Sequence, residues 1–118
     1  MTIFVAMIVL LISGKCRAGE ADVIEVKASR PDSGTYTFNV TIGHADTGWD
    51  HYADRWEVLA SDGKIIATRV LLHPHVSEQP FTRSLSGITI PAGETMVTVR
   101  ARDSIHKYGG KEIDVHLP

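Results

Sequence analysis

A single cysteine, Cys16, stands among the 118 residues, so close to the amino terminus that the body of the chain carries no thiol. Disulfides, thiolate metal centres and cysteine nucleophiles are therefore excluded from residues 22–118. Long apolar runs are missing as well. The only one, Ile3 to Ile12, is ten residues, well short of the ~18 that a membrane-spanning helix requires. There is no Gly-x-Ser-x-Gly elbow, no phosphate-cradling glycine loop and no dinucleotide fingerprint, which removes the common hydrolase, nucleotidase and dehydrogenase designs. Twelve Lys and Arg against fourteen Asp and Glu give a formal net charge of −2. Without a basic cluster, neither nucleic acid nor an anionic membrane is an expected partner. Repeats, low-complexity tracts and linkers are also absent, so one domain is expected.

What is present begins with the amino terminus. The apolar run followed by Ser13-Gly14 and the small-residue stretch Cys16-Arg-Ala18-Gly-Glu-Ala21 has the form of a secretory signal peptide. Cleavage is expected after Ala18, with Ala21 as the alternative, leaving a single domain over residues 22–118 that is periplasmic or secreted. Both cleavages remove Cys16. A lipoprotein would keep it, but Lys15 occupies the position where a small residue is expected. Cleavage after Ala18 also removes Lys15 and Arg17, so ten bases then face fourteen acids, a net charge of −4.

The remainder reads as strands. Tyr36, Phe38, Val40 and Ile42 alternate with Thr35, Thr37, Asn39 and Thr41, the period-two pattern of a half-buried strand. Val97, Val99 and Ala101 alternate with Thr98, Arg100 and Arg102, and Ile113, Val115 and Leu117 with Glu112, Asp114 and His116. Weaker alternation covers Val23 to Ala28, Arg55 to Ala60 with Trp56 and Val58 inward, Lys64 to Leu72, and Phe81 to Ile90. Turn chemistry at Arg30 to Gly34, Asp62-Gly63 and Pro91 to Gly93 separates them. The expectation is an all-β, immunoglobulin-like or fibronectin-like seven-stranded antiparallel β-sandwich.

Successive antiparallel strands reverse direction, so alternate connections share an end. The three tidy turns are the first, third and fifth connections and contain no histidine. The second, fourth and sixth are longer and hold five of the six histidines: His44 and His51, His73 and His75, and His106. Neutral imidazoles and carboxylates suit borderline divalent metals, and a rigid sandwich can aim side chains from neighbouring loops at one point. The predicted ligand set is His44, His51, Asp103 and His106, for one divalent transition metal: iron, copper or zinc. His73 and His75, flanking Pro74, are candidates for a further ligand or a weaker second site with Glu78.

Gly43-His44, then His51-Tyr52 with Trp56 four residues beyond, resembles the His-Pro…His-Tyr-Ile-x-Trp segment of superoxide reductases of the desulfoferrodoxin and neelaredoxin type. Asp103-Ser-Ile-His106 is similar to their late Cys-Asn-x-His-Gly segment. The resemblance implies an immunoglobulin-like domain with iron at one end and, for an enzyme, superoxide reduction with an external electron donor. Two departures bear on the activity. No histidine occurs between Gly19 and Gly43, where that family has a further ligand, and Asp103 stands where it has the axial thiolate. A carboxylate is a harder ligand that changes metal preference and redox potential. Leu72-His73-Pro74 is similar to a stretch in the immunoglobulin-like subunit of the thiosulfate-oxidation carrier complex, which implies instead a metal-free accessory module for a periplasmic protein partner.

Set against these sites are blander roles. His44, His51 and His106 could simply hydrogen-bond Asp46, Asp50, Asp54 or Asp103 and order their loops, and His73 and His75 could shape a turn. His116 is expected on an outward strand face, Trp56 in the core, and Arg83 in a solvated or salt-bridged position. The expectation for function is metal binding without catalysis.

Overall fold

The computed structural model describes residues 19–31 and 34–118; the expected signal peptide, residues 1–18, lies outside them. Seven strands form in chain order: β1 (Asp22–Ser29), β2 (Tyr36–Gly43), β3 (Ala53–Leu59), β4 (Ile65–Val70), β5 (Phe81–Ile88), β6 (Met96–Asp103) and β7 (Ile113–His116). They make two antiparallel sheets, β1-β2-β5 and β4-β3-β6-β7. The alternation in the sequence is what separates the two faces. Phe38, Val40 and Ile42 of β2 meet Trp56 and Val58 of β3 and Val97, Val99 and Ala101 of β6 in one buried core. Phe38, Trp56 and Phe81 are fully enclosed, each burial stabilising the fold by roughly 1.5–3 kcal/mol or more.

The weak alternation of β1 has a structural reason. A bulge between Val23 and Glu25 lets Val23, Val26 and Ala28 face inward while Ile24 is half exposed. A bulge places two residues opposite one and so breaks the period of two. A second bulge, between Ala53 and Arg55 in the β3–β6 pairing, lies next to the Ala53–Asp103 pair.

The connections segregate as the strand count predicts. Ser61 hydrogen-bonds Glu94, joining the β3–β4 and β5–β6 turns at one end. At the other end the long connections interlock. The His44 amide donates to Gln79 Oε1, the His75 amide to Asp46 Oδ2, and the Ser104 amide to the Tyr52 carbonyl while Ser104 Oγ accepts from the Tyr52 amide. Residues 19–21, which lead into β1, lie at this second end too, with Ala21 buried.

On the outer face of the larger sheet, Glu57 is almost wholly buried although it points away from the core. Arg100 donates to it at 2.9 Å and the Tyr108 hydroxyl at 3.1–3.2 Å, with the Arg100 guanidinium 3.8 Å over the Tyr108 ring. This clamp folds the β6–β7 connection back onto the sheet. It is how a loop carrying Asp103 and His106 becomes a fixed part of the histidine end.

Candidate metal centre

Asp103, the last residue of β6, is fully buried, and its two carboxylate oxygens do different jobs. Oδ1 accepts the amides of Ile105 and His106 at 2.6 and 2.7 Å, turning the chain sharply; reciprocal main-chain bonds between Asp103 and Lys107 close the turn, with Lys107 at a φ of 64°. Oδ2 is left to face the imidazoles. It contacts Nε2 of His44 and lies 2.5 Å from Nε2 of His51. Burial on its own would raise the Asp103 carboxyl, but the two amides and the His44 imidazole outweigh it and hold the group below the ordinary aspartate value. The residue is thus a committed anion in the interior.

His44 follows β2 directly, and Asp46 fixes its ring. Nδ1 contacts Asp46 Oδ1, which also accepts the Ala53 amide, while Asp46 Oδ2 accepts the His75 amide. A carboxylate so placed orients the imidazole and leaves Nε2 facing the cluster. Nε2 faces Asp103 Oδ2 and, 3.1 Å away, the Gly19 carbonyl oxygen. His51, delivered by a tight Gly48–His51 bridge, brings its Nε2 to the same two oxygens. The ligand atoms of His44, His51 and Asp103 lie within 4.8 Å of one another.

Two imidazole nitrogens and a carboxylate oxygen converging in a buried pocket form a donor set that suits zinc, copper(II) or iron(II). At metal–ligand distances of ~2.0–2.1 Å a tetrahedral site separates its ligands by roughly 3.3 Å, so the Asp103–His51 contact would widen by somewhat less than 1 Å on filling. The buried His44–Asp103 contact would widen as well, and the partly exposed His51 side chain is where the cluster has room to open.

The structure brings three of the predicted ligands, His44, His51 and Asp103, to one point. His106 stands beside them: its ring centroid is 5.0 Å from that of His51, and its Nδ1 is 3.5 Å from Asp103 Oδ1. Its side chain remains exposed and outside the three-residue ligand group. His73 and His75 form a separate pair with centroids 4.8 Å apart. His75 stacks flat on Phe81 and its Nε2 accepts from Arg83, which also bridges Glu78. Burial, then the Arg83 charge, lower the His75 pKa and keep that ring neutral. Its buried Nδ1 has no partner among the described residues.

Two contributors escape a reading by residue type. Asp46 is one of four aspartates in or beside the second and sixth connections, and nothing in the sequence singles it out from Asp50 or Asp54. The Gly19 carbonyl is a main-chain atom from the opposite end of the chain. Its only signal was a small residue where a tight approach would need one.

The chain matches none of the protein-family models. A Halomicrobium mukohataei protein named "Putative lipoprotein" is 43% identical over 96 residues, covering 81% of this chain and 47% of the relative. The chain therefore spans about half the length of that relative. Among solved structures, a hypothetical protein from Pyrococcus horikoshii OT3 has the same arrangement of strands, with a TM-score of 0.57 over 90% of this chain and 94% of its own, at 13% identity. That likeness is one of fold.

Proposed function

We propose that this is a cell-envelope protein that holds one divalent transition-metal ion through His44, His51 and Asp103, with His106 beside them. The observation that carries the reading is the convergence of ligand atoms of His44, His51 and Asp103 on one point, with Asp46 holding the far side of the His44 ring. Such an arrangement suits a cation at its centre. A metal ion there would be shared by all three ligand atoms at once.

Placement in the envelope is supported by the apolar run at residues 3–12 and by the name of the 43%-identical relative. That name also favours retention of Cys16 as a lipid attachment point despite Lys15. The strand orders 1-2-5 and 4-3-6-7 support an immunoglobulin-like sandwich. With Asp103 at the position of the superoxide-reductase thiolate, the donor set favours binding, buffering or delivery of the ion over that family's reaction. An accessory module that docks a protein partner is the alternative, favoured by the exposure of Trp49, Leu72, Val76 and Ile105 on the same loops.

The test is metal content by mass spectrometry on the full-length protein purified without a histidine tag, beside His51→Ala and His106→Ala. Near-stoichiometric metal, lost in His51→Ala and only reduced in His106→Ala, is the expected result. A protein that is empty and also ignores added zinc, copper(II) and iron(II) would overturn the reading in favour of the docking module.

A further inference from the structure

We propose that the main-chain carbonyl oxygen of Gly19 is a ligand of the same ion, so that metal binding fastens the segment Gly19–Ala21 across the site as a strap. This rests on the metal reading above and adds to it a donor that no side chain supplies.

The distances carry the assignment. Gly19 O lies 3.1 Å from His44 Nε2 and 3.3 Å from His51 Nε2, which is already the roughly 3.3 Å ligand–ligand spacing of a tetrahedral site with ~2.0–2.1 Å bonds. The same carbonyl oxygen faces both ring nitrogens on the side where Asp103 Oδ2 also meets them, so it completes the ring of donors around one point. Two nitrogens, one carboxylate oxygen and one carbonyl oxygen make a four-donor set, and His106, with its Nδ1 turned to Asp103 Oδ1, is outside it.

The strap is also built into the fold. Asp22 Oδ1 accepts the Lys111 amide and the Val23 amide donates to the Lys111 carbonyl, both at 2.8 Å, so the strand entrance is tied to the sixth connection. A Cβ on Gly19 would sit 3.0–3.3 Å from the His106 ring, and one on Gly110 would sit 2.0 Å from the Ala21 carbonyl oxygen. Glycine at both positions is what lets the segment pass between the histidine loops. Metal occupancy then governs how firmly Gly19–Ala21 is held against the histidine loops.

Labelling the full-length protein with carbonyl-13C glycine and 15N glutamate marks only two peptide bonds, Gly19–Glu20 and Gly93–Glu94. The second lies in the β5–β6 turn at the other end and serves as an internal control. One equivalent of zinc should move the Gly19 carbonyl resonance downfield and slow exchange of the Glu20 amide, leaving the Gly93–Glu94 pair unchanged. Zinc that shifts the His44 and His51 ring nitrogens but not the Gly19 carbonyl would overturn the strap and leave the metal reading standing. Zinc that shifts neither rings nor carbonyl would sink both. As a second probe, Gly110→Ala pushes on the Ala21 carbonyl without touching a side-chain donor. It should weaken zinc affinity about tenfold or more, the scale on which indirect supports of a metal site act, with the β circular dichroism unchanged. Unaltered affinity in a folded Gly110→Ala protein would count against the strap.

Discussion

Two pairs of histidines occupy the same end of this protein, and their neighbours make them opposites. His44 and His51 are gripped by carboxylates: Asp46 behind the first ring, Asp103 between the two. His73 and His75 sit beside a guanidinium, with Arg83 donating into the His75 ring and Phe81 stacked beneath it. Both pairs look equally suited to a metal by residue type. Position relative to fixed charge separates them, because a cation is drawn to buried carboxylates and repelled by the neighbouring Arg83 guanidinium. The lesson is that the groups around an imidazole, more than the residue type, decide whether it suits a cation.

The strongest way to break this contrast is to neutralise Asp103. Asp103→Asn keeps the size of the side chain and its acceptor for the loop amides but loses the charge between the imidazoles. Metal affinity measured by competition with a chromophoric chelator should fall by more than the ~10–100-fold that removing an indirect support costs. If Asp103→Asn binds as tightly as the parent protein, the carboxylate is not a ligand and the two pairs are less different than they look.

Next in size is Asp46, which lies outside the three-residue ligand group but holds His44. Asp46→Asn should weaken metal binding by about 10–100-fold. It should also lower the melting temperature of the metal-free protein, since the Ala53 and His75 amides and the His44 ring all depend on this buried carboxylate, and an unmatched buried group costs ~1–3 kcal/mol. Thermal unfolding with excess chelator separates the two effects. A drop in affinity without any loss of stability would show that Asp46 orients the ring without organising the loop.

A smaller effect sharpens the comparison from the other side. His75 is held neutral, its pKa lowered by burial and by Arg83. In the unfolded chain it takes up a proton near 6.5, while in the folded protein it does not, so the unfolded state binds more protons as the pH falls. Its contribution to stability is therefore present above pH 6.5 and is lost below it, as the pH approaches the lowered folded value. His75→Gln should flatten that part of the stability profile of the metal-free protein, followed by chemical denaturation between pH 7 and 5, and leave metal stoichiometry intact. The Asp103 carboxyl, also lowered, has the same sign at more acid pH: its contribution is present above 3.8 and lost as the pH falls through the folded value.

The smallest expected change is at His73, exposed, hydrogen-bonded to the neighbouring Pro74 carbonyl and beside the His75 ring. His73→Ala should alter neither metal content nor melting temperature measurably. Loss of metal on this substitution would merge the two histidine pairs into one site.

The strands were legible wherever one face is buried and the other wet. The eight residues from Thr35 to Ile42 contain almost all of β2, Val97 to Ala101 fall within β6, and both place Phe38, Val40, Val97 and Val99 inward as the alternation requires. The pattern faded in β1, where a bulge resets the period at Ile24, and in β4, an edge strand with little fully buried surface. Sorting of the histidines to one end followed from counting strand reversals. Their selection did not: His44, His51 and His106 have equal standing in the sequence, yet only the first two aim Nε2 at Asp103 Oδ2.

By itself, then, the sequence determined a thiol-free, all-β body with its imidazoles and carboxylates gathered on alternate connections, because period-two alternation and turn residues are local properties of the chain. Tertiary structure alone decided the centre. Asp103 reaches it because reciprocal bonds with Lys107 and the Tyr108–Glu57 clamp bend the sixth connection inward. Asp46 reaches His44 because the second and fourth connections fold together around it. The Gly19 carbonyl arrives from 25 residues away from His44 in sequence. Which atoms share a point in space depends on long-range packing and on where main-chain oxygens fall, and neither leaves a local trace in the order of residues.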